Sequence, residues 1–148
     1  VVDDVGVVGQ VTRVYPLLAE VTLITDKDHA IPVQVVRNGL RAVAYGAGDG
    51  ATLDLRFMAA NADILNGDVL VTSGIDGTYP PGIPVARVAR IERDAAYAFA
   101  KIACVPAAGT DQHNQVLVLA TDANLLPAPE VEPTQARPAR GKRTRRRE

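Results

Sequence analysis

Ser73 is the one serine in the chain, and only two imidazoles, His29 and His113, are available to activate it. Acyl transfer by a serine needs a nucleophile, a base and an orienting acid within hydrogen-bond reach, so this stock allows a minimal serine hydrolase at most. Ser73 follows Val71-Thr72 and precedes Gly74-Ile-Asp-Gly77. The glycine that a nucleophile elbow carries two residues before its serine is missing, and Thr-Ser-Gly after a strand is ordinary turn chemistry. Cys104 with His113 would make a thiol dyad, but Cys104 stands in an alternating apolar run, where a lone cysteine packs as a small hydrophobe. Asp26, Asp28 and His29 share one polar turn that supplies a single nitrogen ligand, too little for a zinc site. Gly46-Ala-Gly-Asp-Gly50 has the composition of a phosphate-cradling loop, but no helical pattern follows to present its N-terminus. These residues imply neither a metal nor a cofactor, and paired carboxylates such as Asp3 and Asp4 read as solvated charges.

The elements that must position these residues are strands. Val5 to Val14 is β-branched and broken by Gly6 and Gly9, where close backbone approach is expected. Ala19, Val21 and Leu23 alternate with polar neighbours, as do Ile31, Val33 and Val35, and Asn38-Gly39 is a strong hairpin dipeptide. Strand residues continue through Arg41 to Tyr45. Thr52 to Phe57 alternates strictly, which predicts Leu53, Leu55 and Phe57 on one buried side. The run from Ala59 to Ile64 is either a helical turn or an extended link, and a boundary is placed near Ala60. Asp68 to Thr72 resumes as a strand, and Ser73 to Gly82 concentrates glycine and proline in a constrained loop. Apolar residues change face between Ile83 and Ile91, which predicts a bulge near Ala86 or Arg87. The segments 98–105 and 116–119 complete a series of roughly nine short strands, the pattern of small barrels or sandwiches.

Composition sets the wider frame. The chain of 148 residues is 47% hydrophobic and 22% charged, with a net charge of −1, which fits a globular fold of one large or two small domains. No apolar run reaches the roughly 18 residues of a spanning helix. Only 4% of residues are aromatic and none is Trp, so a stacking platform for single-stranded nucleic acid is not expected. Residues 1–126 are net −5 and residues 127–148 net +4; the acidic body argues against nucleic-acid binding. The Pro-rich, then Arg-rich tail, 123–148, lacks the apolar surface to offset its ordering entropy, so it is expected to be disordered, with anionic-surface contact as its available role.

Gly6-Val-Val-Gly-Gln-Val11, Val21-Thr-Leu-Ile-Thr-Asp26, Ile31-Pro-Val33, Ala62-Asp-Ile64, Gly67-Asp-Val-Leu-Val-Thr-Ser-Gly74 and Tyr79-Pro-Pro-Gly-Ile-Pro-Val85 follow one another in order. This succession resembles the extracytoplasmic region of the MreC family of bacterial rod shape-determining proteins over residues 1 to about 120. The matching positions with expected structural roles are Gly6, Gly9, Asp26, Pro32, Asp63, Gly67, Asp68, Thr72, Ser73, Gly74 and Pro84. The chain departs from the family pattern at Ala86, where a glycine commonly follows the valine.

The resemblance implies an all-β protein of two small barrel-like subdomains, likened to chymotrypsin-type barrels without a triad, over 1–60 and 61–122. It implies a non-enzymatic scaffold of the cell-elongation complex, on the periplasmic side of the inner membrane and anchored by a transmembrane helix outside this segment. The implied partners are the elongation peptidoglycan transpeptidase, a class B penicillin-binding protein, together with MreD, the MreB system and further copies of the chain in a dimer or filament. Because Tyr and Arg are enriched at binding hot spots, the candidate contacts are an exposed loop of Tyr79, Pro80, Pro81 and Gly82, with Tyr15, Tyr45 and Arg56. Tyr15, Tyr45 and Tyr97 are equally suited to covering barrel ends. The alternative is a minimal two-barrel serine protease using Ser73 with His29 or His113.

Overall fold

The computed structural model describes residues 1–93, 98–109 and 115–120, in which all regular structure is β. His113, Tyr97 and the tail from 123 onward lie outside these residues, so the expectations placed on them are not addressed by the structure. The strands are β1 (Gly9–Tyr15), β2 (Leu18–Leu23), β3 (Ala30–Val35), β4 (Arg41–Gly46), β5 (Leu53–Ala59), β6 (Val69–Thr72), β7 (Pro84–Glu92) and β8 (Phe99–Pro106).

Strands β3 to β8 close into one antiparallel barrel in the order β3-β4-β5-β8-β7-β6, with β6 pairing back onto β3. β1 and β2 form a separate two-stranded ribbon. The all-β barrel expectation therefore holds, but its partition at residue 60 does not. β3, β4 and β5 precede Ala60, β6, β7 and β8 follow it, and the two groups join along β3–β6 and β5–β8. The run 59–64 contains no helix: it turns at residues 60–61, where Ala62 N–H donates to Ala59 O at 2.9 Å, and then runs irregularly, linking β5 to β6 within that barrel. The segment 116–119 is no strand: Leu117 makes an isolated bridge with Val2, whose N–H donates to Leu117 O at 2.9 Å.

Period-two alternation explains why the barrel fills. Ile31, Val33 and Val35 of β3, Leu53 and Leu55 of β5, Leu70 and Thr72 of β6, Val85 and Val88 of β7, and Ile102 and Cys104 of β8 all turn inward and are almost solvent-free. Val7, Ile24, Ile64 and Tyr79 come from outside the barrel strands and add to the same core. Sealed among these side chains, the Cys104 thiol is pushed up to about 12 by desolvation, with Asp54 adding to the shift.

Bulges modify the barrel's alternation in three places, and the ribbon slips once, between Val11 and Arg13. In β7 the register slips against β6 between Leu70 and Val71 and against β8 between Val88 and Arg90. The adjacent Val85 and Ala86 are consequently both buried, at 0% and 2% exposure. The third bulge corrects a prediction: β5 slips against β8 between Leu55 and Met58, so Met58 turns inward and Phe57 outward. A single extra residue reverses every side chain beyond it.

The first strand starts later than its sequence suggests because residues 5–8 serve the barrel. Asp3 Oδ1 accepts the N–H groups of Val5 and Gly6, Val7 N–H donates to Pro84 O at 2.9 Å, and Val8 N–H donates to Val1 O at 3.0 Å. A Cβ on Gly6 would stand 2.5 Å from Pro84 O and 3.2 Å from Ala107 Cβ. Gly6→Ala is therefore expected to lower stability by about 1–3 kcal/mol through overpacking against backbone. A reduced urea midpoint at unchanged slope would show it.

Candidate functional site

The β5 bulge places two consecutive side chains, Arg56 and Phe57, opposite Lys101 of β8. Phe57 has φ +62, and it is the only non-glycine residue with a positive φ among those described. A left-handed conformation costs a residue with a Cβ roughly 1–2 kcal/mol, and burial does not offset this cost, because Phe57 is 72% exposed. Its ring meets that of Phe99, itself 55% exposed, edge to face at 6.1 Å between centroids. Beside them the Arg56 guanidinium lies 4.8 Å over the Tyr45 ring, a cation–π contact that holds two long side chains in place. Asp54, Arg56, Phe57, Phe99 and Lys101 line a shallow depression of about 310 Å³. Val43 on β4 is exposed on the same outward row as Tyr45. Such an aromatic face with flanking positive charge has the composition of an interface core.

The structure brings together Tyr45 and Arg56 of the sequence-derived contacts and leaves Tyr15 and the Tyr79 loop elsewhere. Phe57 and Phe99 were missed. Strict alternation assigns Phe57 to the interior, and only the bulge, which has no local sequence mark, exposes it.

Tyr79 departs from its expected exposure. It is buried to 6%, its hydroxyl 2.7 Å from His29 Nε2 and donating to Gln10 Oε1 at 3.4 Å. Burial raises the phenol, with the charge of Asp76 adding to the shift. Burial also lowers His29, against an opposing pull from Asp26. Around the ring, Thr72 Oγ1 donates to Pro80 O and accepts from Ile83 N–H, and Asp76 Oδ1 accepts the N–H groups of Thr78 and Tyr79. Pro81 and Gly82 are exposed and Pro80 partly so. The loop is a fixed plug with an outer rim.

Ser73 shares none of the His29 chemistry. Its Oγ accepts Ile75 N–H at 3.5 Å and its own N–H donates to Pro32 O, while His29 is engaged with Tyr79. Asp26 Oδ1 accepts Asp28 N–H, and Asp28 pairs with Lys27. Asp49 within the glycine-rich loop accepts from Ala51 N–H, Thr52 N–H and Thr52 Oγ1, which holds its carboxyl below the usual range. Each of these polar groups satisfies its own turn.

Asp63 and Asp68 converge on a residue that sequence reasoning overlooked. Arg37, at the β3–β4 turn, donates to Asp68 through Nε and Nη2 at 3.0 and 3.1 Å and to Asp63 through Nη1 and Nη2 at 3.0 and 2.9 Å. Asn38 Nδ2 adds a bond to Asp63 O at 2.8 Å, and Asp68 Oδ2 accepts Leu65 N–H. This clamp ties the hairpin turn to the β5–β6 link. The Arg37 hydrogen bonds hold both carboxyls below the usual range, so their contribution to stability is complete above the ordinary value of about 4. It disappears as pH falls through the depressed folded values. Melting curves between pH 5 and pH 2 should fall more steeply for the wild type than for Asp68→Asn, which begins from a lower melting temperature.

A closed antiparallel barrel with an attached two-stranded ribbon defines a small all-β barrel protein. The family described as rod shape-determining protein MreC, barrel core, matches residues 1–120, and the chain belongs to it. It is 45% identical over 119 residues to the cell shape-determining protein MreC of Escherichia coli (strain K12), a match covering 80% of this chain and 32% of that protein. The chain thus spans about a third of the length of that relative. Among solved structures, MreC from Pseudomonas aeruginosa superposes with a TM-score of 0.69 at 48% identity, covering 72% of this chain and 68% of that one. A complex between penicillin-binding protein PBP2 and MreC from Helicobacter pylori gives 0.52 at 28% identity, covering 61% and 55%.

Proposed function

We propose that this chain is the barrel core of a non-enzymatic scaffold on the periplasmic side of the bacterial inner membrane, which organises and activates peptidoglycan synthesis during cell elongation. It acts by docking the elongation transpeptidase, a class B penicillin-binding protein, and favouring that enzyme's working arrangement through differential affinity. The observation that carries this reading is the face built by Phe57, Phe99, Arg56 and Tyr45, where a strained residue presents an apolar ring to solvent. The complex of PBP2 with MreC from Helicobacter pylori supports the class of partner. In the longer protein the same scaffold links to MreD and the MreB system, is anchored by a transmembrane helix, and self-associates into a dimer or filament.

The test is interferometry of the transpeptidase's periplasmic domain against this chain. Micromolar or tighter binding that weakens at least tenfold in Phe99→Ser supports the assignment. Binding that Phe99→Ser leaves unchanged would move the docking surface elsewhere, and absence of binding would remove the transpeptidase as partner. The protease reading with His29 as base gains no support from the geometry, because His29 is committed to Tyr79 and not to Ser73, while its other base, His113, lies outside the described residues.

A further inference from the structure

The β1–β2 ribbon ends in six consecutive residues, Val14-Tyr-Pro-Leu-Leu-Ala19, none of them charged. Leu17 is fully exposed, Val14 77%, Leu18 69% and Tyr15 47%. The register pairs Tyr15 with Leu18 and Val14 with Ala19. Neighbours along a strand point to opposite faces, so one face of the ribbon carries Tyr15 and Leu18 and the other Val14 and Ala19. Both faces and the turn are therefore apolar and open. One step further back the character changes abruptly: Arg13 pairs with Glu20 across the ribbon at 3.9 Å, and Thr22 Oγ1 donates to Thr12 Oγ1 at 3.1 Å. Polarity thus varies along the ribbon and not between its faces.

That distribution separates the available occupants. A protein surface covers one face of a ribbon and uses roughly 20–30 residues a side, whereas this tip offers six on two faces. A fluid apolar phase surrounds the tip completely. From the turn to the Arg13–Glu20 pair is roughly 10 Å at strand rise, close to the 5–10 Å to which interfacial elements enter the boundary of headgroups and acyl chains. Tyr15 stands where an amphipathic ring suits that boundary. The open ladder groups of a two-stranded ribbon forbid deeper entry.

We infer that the β1–β2 hairpin tip is a membrane-contact element, inserting Leu17 and Leu18 into the interfacial region of a lipid bilayer with Arg13 and Glu20 at the headgroup level. This inference is independent of the transpeptidase docking, which uses the opposite outcome of folding, a bulge in β5.

The chain contains no Trp, so Tyr15→Trp introduces a single reporter. The 148-residue chain is mixed with phosphatidylcholine vesicles in high salt, which silences electrostatic attraction by the basic tail. The expected result is a blue shift in the emission of the Tyr15→Trp variant on adding vesicles, together with co-sedimentation that falls about tenfold in Leu17→Asp and further in Leu17→Asp/Leu18→Asp. Ile75→Asp, at another exposed apolar position, should leave partitioning unchanged. No emission shift, or equal loss with Ile75→Asp, would overturn the inference. So would a dimer dissolved by Leu17→Asp without vesicle binding, which assigns the tip to a second copy. Vesicle binding absent from an N-terminally extended chain would overturn it as well, by assigning the tip to a covering segment.

Discussion

Phe57→Gly is expected to raise the stability of the barrel by about 1 kcal/mol while weakening transpeptidase binding on the order of a hundredfold. The two effects have opposite signs because they come from different atoms. Glycine adopts φ +62 without the Cβ clash that phenylalanine endures there, and the exposed ring contributes little burial to the folded state. Glycine also has more conformational freedom to lose on folding, which is why the gain stays near 1 kcal/mol instead of the full strain. In the proposed docking, binding falls because an aromatic anchor at an interface core contributes about 2 kcal/mol or more, and the edge-to-face contact with Phe99 goes with it. Thermal melting and interferometry on the same preparation check both halves. A variant that loses stability would mean that the ring supports the barrel, and unchanged affinity would mean that the strain serves something else. Phe57→Ala keeps the clash and removes the ring, so it should lose affinity without the stability gain.

Tyr79→Ala should be among the most damaging single changes in the chain, costing about 3–5 kcal/mol. It empties a site at the junction of β1, the β2–β3 turn and the 73–83 loop, and leaves the buried His29 without its 2.7 Å partner. Tyr79→Phe retains the ring and loses only the hydroxyl, for which about 1–2 kcal/mol is expected. Chemical denaturation of both variants separates packing from hydrogen bonding, and equal costs would show that the hydrogen bond carries the loop. Acid should loosen the same junction. With His29 lowered by burial, its contribution is complete above the ordinary value of about 6.5 and is lost as pH falls through the lower folded value. Under the proposed docking, reduced transpeptidase binding in Tyr79→Ala would therefore reflect a displaced loop, and Phe57 and Phe99 would be the positions that read binding directly.

Alternation made most strands legible. Ile31, Val33 and Val35 point inward as their spacing requires, Asn38-Gly39 turns the hairpin with Gly39 at φ +70, and register slips flank the predicted irregularity in β7. Pairing was less legible. Periodicity records which face of a strand is buried but not which strand lies beside it, so nothing in Val33 or Thr72 alone announces that β3 and β6 are neighbours. The candidate site failed to show for a related reason. Phe57 continues an unbroken alternation, and its outward turn follows from the β5–β8 register. Tyr79 failed in the other direction: proline and glycine mark a surface loop, while its burial depends on His29, fifty residues away in sequence. Arg37 had only its place beside Asn38-Gly39 to recommend it, and its meaning appears once Asp63 and Asp68 fold over it.

Barrel closure between β3 and β6 also governs how the chain must be made. When Ala59 emerges during synthesis, β3, β4 and β5 are already present, yet β3 still lacks β6 and β5 lacks β8, which ends at Pro106. At roughly 5–20 residues per second, the nascent sheet waits seconds with both outer edges open and its apolar side uncovered. Those seconds are its exposure to chaperones, proteases and neighbouring nascent chains, and they end when the last strand seals the cylinder.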